Sequence, residues 1–271
     1  TIILLALTLI VIWLATNKKL KPVPVMAILL VLSAFDLLTV GRRYLNENSF
    51  VDPDEFNNAF AMTDADKMIK QDNGYYRVFN TTVDFTNESV TSYHHNSIGG
   101  YHPAKLQIYQ DLIENQIGKN NMQVLNMLNT KYFIVQNPQN GQPVAQINPG
   151  NFGPCWLVKG IKYVENGKEE MKALDSTDLR DTAVVQVKFK SLIPNAPVYD
   201  SASSIKLIEN KNDIINYKSQ ANSNQFAVFS EVYYTAGWNA FIDGKKAEIV
   251  KTNYALRGLA IPARTHKIEF R

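Results

Sequence analysis

The order of apolar and polar positions divides this chain sharply. Thr1–Thr16 (TIILLALTLIVIWLAT) carries no charge, and Val23–Val40 (VPVMAILLVLSAFDLLTV) is apolar apart from Ser33, Asp36 and Thr39. At about 1.5 Å of rise per residue the second run extends ~27 Å as a helix, close to a bilayer's hydrocarbon core. Two transmembrane helices, about 1–16 and 23–40, are expected, with everything after Gly41 in water. A signal peptide in the first run would need an initiating Met, a basic n-region and a small-residue cleavage site. The chain instead opens on Thr1 inside the apolar stretch, so a fragment with further chain upstream is the expectation.

From 44 to 190 helical and strand patterns alternate. Asp64–Lys70 predicts a short helix with Thr63 or Asp64 as N-cap, and Tyr75–Thr82 a strand. Pro103 stands where a first helical residue would, ahead of a helix over Ala104–Ile117 whose apolar face is Leu106, Tyr109, Leu112, Ile113 and Ile117. Met122–Leu128 and Lys168–Leu174 predict further helices, and Tyr132–Gln136, Cys155–Val164 and Ala183–Phe189 predict strands. Such alternation argues a mixed α/β layer.

Past Pro194 and Pro197, which read as a linker, period-two strands dominate 191–271. They are expected at Ser204–Ile208, Gln225–Tyr234, Trp238–Ile242, Ala247–Lys251, Arg257–Ile261 and Lys267–Arg271. Asp243-Gly244 is a type I′ hairpin signal, because Gly accepts positive φ without a steric penalty. The expected fold is a membrane-anchored α+β chain in three parts. Two transmembrane helices occupy 1–43, a mixed α/β domain 44–190, and a small antiparallel β-sandwich 191–271, cut short at its C-terminal end.

Charge decides orientation only narrowly. Lys18, Lys19 and Lys21 between the spans face Arg42 and Arg43 after the second, which favours the short loop in the cytoplasm and the large domain outside. A net charge of +3 over 271 residues, with no basic run interleaved with aromatics, gives no footprint for nucleic acid. The lone Cys155 excludes an internal disulfide framework and a multi-cysteine metal site. The Asn-X-Ser/Thr triplets at Asn80 and Asn87 are of a kind that arises by chance.

The main cluster with chemical potential is Tyr93, His94, His95, Tyr101 and His102 around Gly99-Gly100. Imidazoles and phenols hydrogen-bond sugars and phosphates, and a glycine turn would bring them together. A divalent metal there would need further ligands, for which Asp84 or Asp111 would serve; the plain alternative is a solvated loop. Tyr234 and Trp238, with Tyr233 about Gly237, would stack on a sugar face if exposed, or anchor a core if buried. Asp36 places a carboxylate at membrane depth, facing a partner, a water-filled cavity, or Arg42 and Arg43 a turn or two away. Glu169, Glu170, Asp175, Asp178 and Asp181 read as a solvated helical face and its flank, and Asp111 and Glu114 as one exposed side. No nucleophile elbow, H-E-x-x-H, Walker loop or dinucleotide glycine pattern is present.

Several blocks also carry a resemblance. SEVYYTAGWNAFIDGKK, TNYALRGLAIP and THKIEF in the last part of the chain follow SIGGYHPAKLQIYQDLIE (Ser97–Glu114) and MLNTKYFIV (Met127–Val135). In this order they resemble the C-terminal part of bacterial YfhO-type membrane proteins, which are similar to GT-C glycosyltransferases using polyprenyl-phosphate-linked sugars. The resemblance implies a multi-pass protein of the bacterial cytoplasmic membrane, with further transmembrane helices upstream and this domain on the extracytoplasmic side. It implies sugar transfer from a lipid-linked donor to a cell-envelope glycopolymer, with the essential acids in an upstream loop. No catalytic residue is therefore assigned to this chain, whose expected part is acceptor binding or shaping of the site. The partners implied are the bilayer, the lipid-linked sugar and the glycopolymer. A membrane-tethered carbohydrate-binding module and a protein-scaffolding domain stand as alternatives without catalysis.

Overall fold

The computed structural model describes residues 2–271, apart from the side chain of Asn57. Thr1, where the first expected span begins, lies outside the described residues. The chain forms two units, Thr1–Ala61 and Met62–Arg271, and each is taken by itself.

In the first unit, α1 (Ile2–Thr16) and α2 (Pro22–Tyr44) are joined by the lysine loop. Pro22 opens α2, where its missing N–H would have had no partner, and Arg42 and Arg43 sit in the last turn, where cations complement the helix dipole. Among the described residues α2 is the one helix long and apolar enough to cross a membrane, and only 6% of its apolar window is buried. Helix α1 has 15 residues. At ~22 Å it falls short of a hydrocarbon core of about 30 Å. One span-length helix thus stands where two were expected, and it does not carry the multi-pass arrangement. Its length and composition suit a membrane anchor and a signal sequence alike. Asp36 is half-exposed on α2 and forms no ion pair with Arg42 or Arg43 among the described residues. A 3-10 turn, Glu47–Ser49, and α3 (Pro53–Ala59) complete the unit.

The second unit begins with α4 (Asp64–Ile69), capped reciprocally: the Thr63 side chain accepts from the Asp66 N–H, and the Asp66 carboxylate accepts from the Thr63 N–H. Strand β1 (Arg77–Asn80) and α5 (Val90–His94) precede α6 (Gln107–Asn115) and α7 (Met122–Met127). Strand β2 (Thr130–Gln136) pairs parallel with β1 and antiparallel with β3 (Pro143–Ile147), giving a three-stranded sheet. Helix α6 starts at Gln107 rather than Ala104, because the Ala104 N–H donates to His102 Nδ1 at 3.2 Å and closes a local turn around Pro103. Of its expected apolar face, Leu112 and Ile113 are buried in the core, Tyr109 packs against it and Ile117 follows in a 3-10 turn, whereas Leu106 caps the helix and is exposed.

Eleven strands build the sandwich. They are β4 (Cys155–Val158), β5 (Gly160–Val164), β6 (Thr182–Gln186), β7 (Ser204–Asn210), β8 (Ile215–Ala221), β9 (Gln225–Val232), β10 (Ala240–Ile242), β11 (Lys245–Ala247), β12 (Val250–Thr252), β13 (Leu256–Ile261) and β14 (Arg264–Phe270), with α8 (Gly167–Ala173) between β5 and β6. One sheet runs β11-β10-β14-β8-β7, and the other β4-β9-β13-β12-β6-β5. The first is antiparallel throughout; in the second, β5 and β6 pair parallel. The expected break at 190/191 is absent: β4 pairs with β9 and β6 with β12, so strands from both sides of it share one sheet inside one compact unit. Hydrogen bonding between distant strands overrides the local change of pattern at Pro194 and Pro197.

Burial explains how the layers hold. Along β9, Ala227 and Phe229 face a core shared with Ile215, Tyr217, Ile268 and Phe270 of the five-stranded sheet, while Phe226 and Val228 face a second core shared with the helices. A strand buried on both faces needs this unbroken apolar run. Tyr217, Phe229 and Phe270 meet edge to face at centroid distances of 4.7, 5.9 and 4.9 Å. Each such pair adds about 0.5–1.5 kcal/mol beyond its buried area. Arg77 on β1 ties the three-stranded sheet to the sandwich, donating to the carbonyls of Leu128 at 2.9 Å and Ser230 at 2.6 Å beside Glu231 at 3.6 Å.

Candidate aromatic groove and histidine loop

Between β9 and β10 the chain runs over Tyr233–Asn239 and opens a groove of about 340 Å3. Phe189, Tyr233 and Trp238 supply its rings, and Asn239, Lys246 and Glu248 its hydrogen-bonding groups. Tyr233 is anchored by its N–H, which donates to the Ala255 carbonyl at 2.8 Å, and its ring meets Phe189 at 6.4 Å. Burial raises its phenol pKa, against a lowering hydrogen bond from Thr235.

Trp238 is half-buried and rests on a charge. The guanidinium carbon of Arg257 lies 4.5 Å from its ring centroid, and 5.3 Å from that of Phe270 behind it. Arg257 is 3% exposed, and its Nε donates to the Val232 carbonyl at 2.9 Å, while Nη1 finds no hydrogen-bond partner among the described residues. Burial holds its pKa below the ordinary guanidinium value, with Glu231 opposing. An arginine remains charged under such a shift. Trp238 therefore packs on the core edge and also lines an open groove. Tyr234 does not line that groove; its ring covers Gly237, where a Cβ would come within 2.8 Å of Tyr234 Cδ1.

The histidine loop separates. Tyr93, His94 and His95 line a second groove of about 370 Å3 together with Lys70 and Asp72. Tyr101 and His102 are exposed and lie outside its lining. The glycines explain the separation, since they bring backbone against backbone rather than gathering rings. A Cβ on Gly99 would stand 1.9 Å from the Phe85 carbonyl oxygen, and Gly100, at φ +105°, donates its N–H to that same oxygen at 2.6 Å.

Within that groove His95 is a core histidine. Its Nε2 lies 2.9 Å from Asp66 Oδ1, with the two side chains 3% and 8% exposed. Burial lowers the His95 pKa more than Asp66 raises it. Burial pushes Asp66 up, but its bonds from Thr63 and then His95 bring it below the ordinary carboxylate value. A neutral imidazole donating from Nε2–H to an ionised carboxylate satisfies both directions. Asp72 on the opposite side is bound by Lys131, by the Tyr132 hydroxyl at 2.9 Å and by the Gly74 N–H at 2.8 Å.

Among the described residues no three His, Cys, Asp or Glu side chains are grouped to hold a metal ion. The two aspartates that would serve as extra ligands have other partners: Asp84 accepts from Thr86 Oγ1 at 2.7 Å, and Asp111 from the Tyr254 hydroxyl at 2.6 Å. Glu170 corrects the reading of a solvated acidic face. Glu169 is exposed, but Glu170 is fully buried and accepts from Gln186 Nε2 at 2.6 Å and from the Tyr254 N–H at 2.9 Å.

No family model, curated protein or solved structure compared with the chain matches it. The geometry of the grooves, together with the sequence blocks, is what bears on function.

Proposed function

We propose that this chain is a membrane-tethered, extracytoplasmic part of a bacterial cell-envelope glycosyltransferase, and that it binds the acceptor glycan in the Trp238 groove. The observation that carries the reading is that groove's lining: Phe189, Tyr233 and Trp238 beside Asn239, Lys246 and Glu248. Pyranose rings present an apolar C–H face and a rim of hydroxyls. Aromatic faces take the first and amide, ammonium and carboxylate groups the second. The span-length helix α2 supports tethering, and the YfhO-type sequence blocks support the class of reaction.

In this reading the chain makes and breaks no bond. Sugar moves from a polyprenyl phosphate to the glycopolymer at acids supplied upstream, while this domain holds the polymer and limits its freedom. Restricting an acceptor in this way removes part of the entropic barrier to transfer.

The test is a titration of the full chain, in neutral detergent micelles, with oligosaccharide fragments of bacterial envelope polymers. The readouts are tryptophan fluorescence and calorimetry. Quenching and heat that vanish in Trp238→Ala, with unfolding still cooperative, are expected. Absence of binding across neutral and anionic fragments, or binding that survives Trp238→Ala, would overturn the proposal.

A further inference from the structure

A third groove, of about 490 Å3, shares no lining residue with that of Trp238. Three segments distant in sequence form it: α6 with the turn after it, through Asp111 and Lys119; α8, through Lys168 and Lys172; and Tyr254, from the connection between β12 and β13.

The connection is unusual. Asn253 and Tyr254 stand in succession at φ +48° and +67°. Left-handed backbone costs an ordinary L-residue roughly 1–2 kcal/mol, and glycine would avoid it. Asn253 has a local reason to be there, because its side-chain oxygen accepts from the Val184 N–H and its own N–H donates to the Val184 carbonyl, both at 2.8 Å. The Tyr254 N–H bond to Glu170 would form with any residue but proline. What a tyrosine adds lies in the groove: its hydroxyl donates to Asp111 at 2.6 Å, and its ring forms part of the wall, 4.3 Å from Lys251 Nζ.

The charges around that wall point to an anion. Lys119, Lys168 and Lys172 are exposed, and none is in an ion pair among the described residues. The carboxylates lining the groove are Asp111 and Asp175. Both oxygens of Asp111 already accept, from the Tyr254 hydroxyl and from Gln107 Nε2 at 2.7 Å. A ligand that offers only acceptors, and enough charge to draw several ammonium groups, is phosphate; lysine binds it as a mobile point charge. We infer that this groove is a binding site for a phosphate-bearing ligand, with the phosphate on Lys119, Lys168 and Lys172 and the adjoining carbon framework against Tyr254. The inference is independent of the Trp238 groove and of any role in glycan transfer.

Phosphate of this kind comes from a soluble or polymer-borne ester or from a lipid headgroup, and one experiment separates these. Hydrogen exchange is followed on the full chain in neutral detergent micelles, first with inorganic pyrophosphate and then with micelles doped with phosphatidylglycerol. Slowed exchange over 111–119 and 167–175 is expected. In the variant Lys119→Gln, Lys168→Gln, Lys172→Gln, apparent affinity should fall at least about tenfold, and added salt should weaken the parent in the same direction. The three lysines are surface residues, so the fold survives their replacement. Protection by doped micelles alone assigns the headgroup, and protection by pyrophosphate the soluble ester. No protection from either probe, or protection that the triple variant retains, would overturn the inference.

Discussion

The guanidinium carbon of Arg257 lies 4.5 Å beneath the ring centroid of Trp238. One residue is a buried cation on the central strand β13 and the other a half-exposed indole on the groove, so the strand fixes the plane of the ring. Phe270 closes the other side of the guanidinium. A cation held between two aromatic rings has electrostatic company at Nη1, which finds no hydrogen-bond partner among the described residues.

Removing either partner should have unequal consequences. Trp238→Ala is expected to cost about 1–3 kcal/mol, as partly buried area and the cation–π contact disappear. Arg257→Met leaves Glu231 with one cation fewer and the Val232 carbonyl without this donor, and is expected to cost about 3–5 kcal/mol. A double-mutant cycle read by denaturant unfolding should give a coupling of about 1 kcal/mol. A coupling of zero would mean that the stacking does not hold the ring.

The buried His95–Asp66 pair sets a pH dependence whose sign is fixed. The His95 pKa is lowered from its ordinary value of 6.5, so the unfolded chain binds the proton more readily. Its contribution is present above 6.5 and is lost as pH falls through that value towards the folded pKa. Asp66 is lowered from 3.8, so its contribution is lost in a second, more acid window below that. Thermal unfolding between pH 7 and 5 should show stability declining with acid, and His95→Gln should flatten that limb. A parent curve that is level or rises towards pH 5 would contradict the assignment of a neutral His95.

Short-range chemistry made some of this legible in sequence. Thr63, one of the two expected N-caps, starts α4, and both Asp243 and Gly244 take the expected positive φ, 50° and 79°, between β10 and β11. Strand β8 leaves no clear local pattern because its inward positions, Ile215, Tyr217, Ser219 and Ala221, mix large, polar and small side chains and blur the alternation. Strand β3 leaves none because it opens on Pro143 and is only partly buried. The sheet that joins β4 to β9 and β6 to β12 depends on pairings between distant segments, which no local window contains. The same holds at the sites. Trp238 announced itself as an aromatic beside a glycine, but Arg257 beneath it did not. In the Glu169-Glu170 pair, composition could not tell which carboxylate turns inward.

Cys155 should be chemically silent in the folded protein. It is the single cysteine, it is 8% exposed in the sandwich core, and burial pushes its thiol pKa up to about 12. The thiolate is the reactive form, and burial denies it both charge and access. An aromatic disulfide reagent at neutral pH should release almost no chromophore from the native chain and one equivalent after unfolding in guanidinium. Rapid native reaction would show that β4 opens far more easily than its place against β9 implies.

Glu170 offers the sharpest test of the buried polar core. Its carboxylate is wholly buried and accepts from Gln186 Nε2 and the Tyr254 N–H, with Lys251 Nζ at 3.5 Å. Glu170→Ala leaves an amide and a backbone N–H without acceptors in the interior and is expected to cost about 2–4 kcal/mol. Glu170→Gln keeps a carbonyl for one of those donors and is expected to cost about 1–2 kcal/mol. The Gln variant should also loosen the left-handed turn at Asn253 and Tyr254, because the Tyr254 N–H and Gln186 then compete for one oxygen. Amide exchange at Tyr254 reports that loosening directly. Equal stability in parent, Ala and Gln variants would mean that water reaches these groups, and that the carboxylate does not hold α8 to the β12–β13 connection.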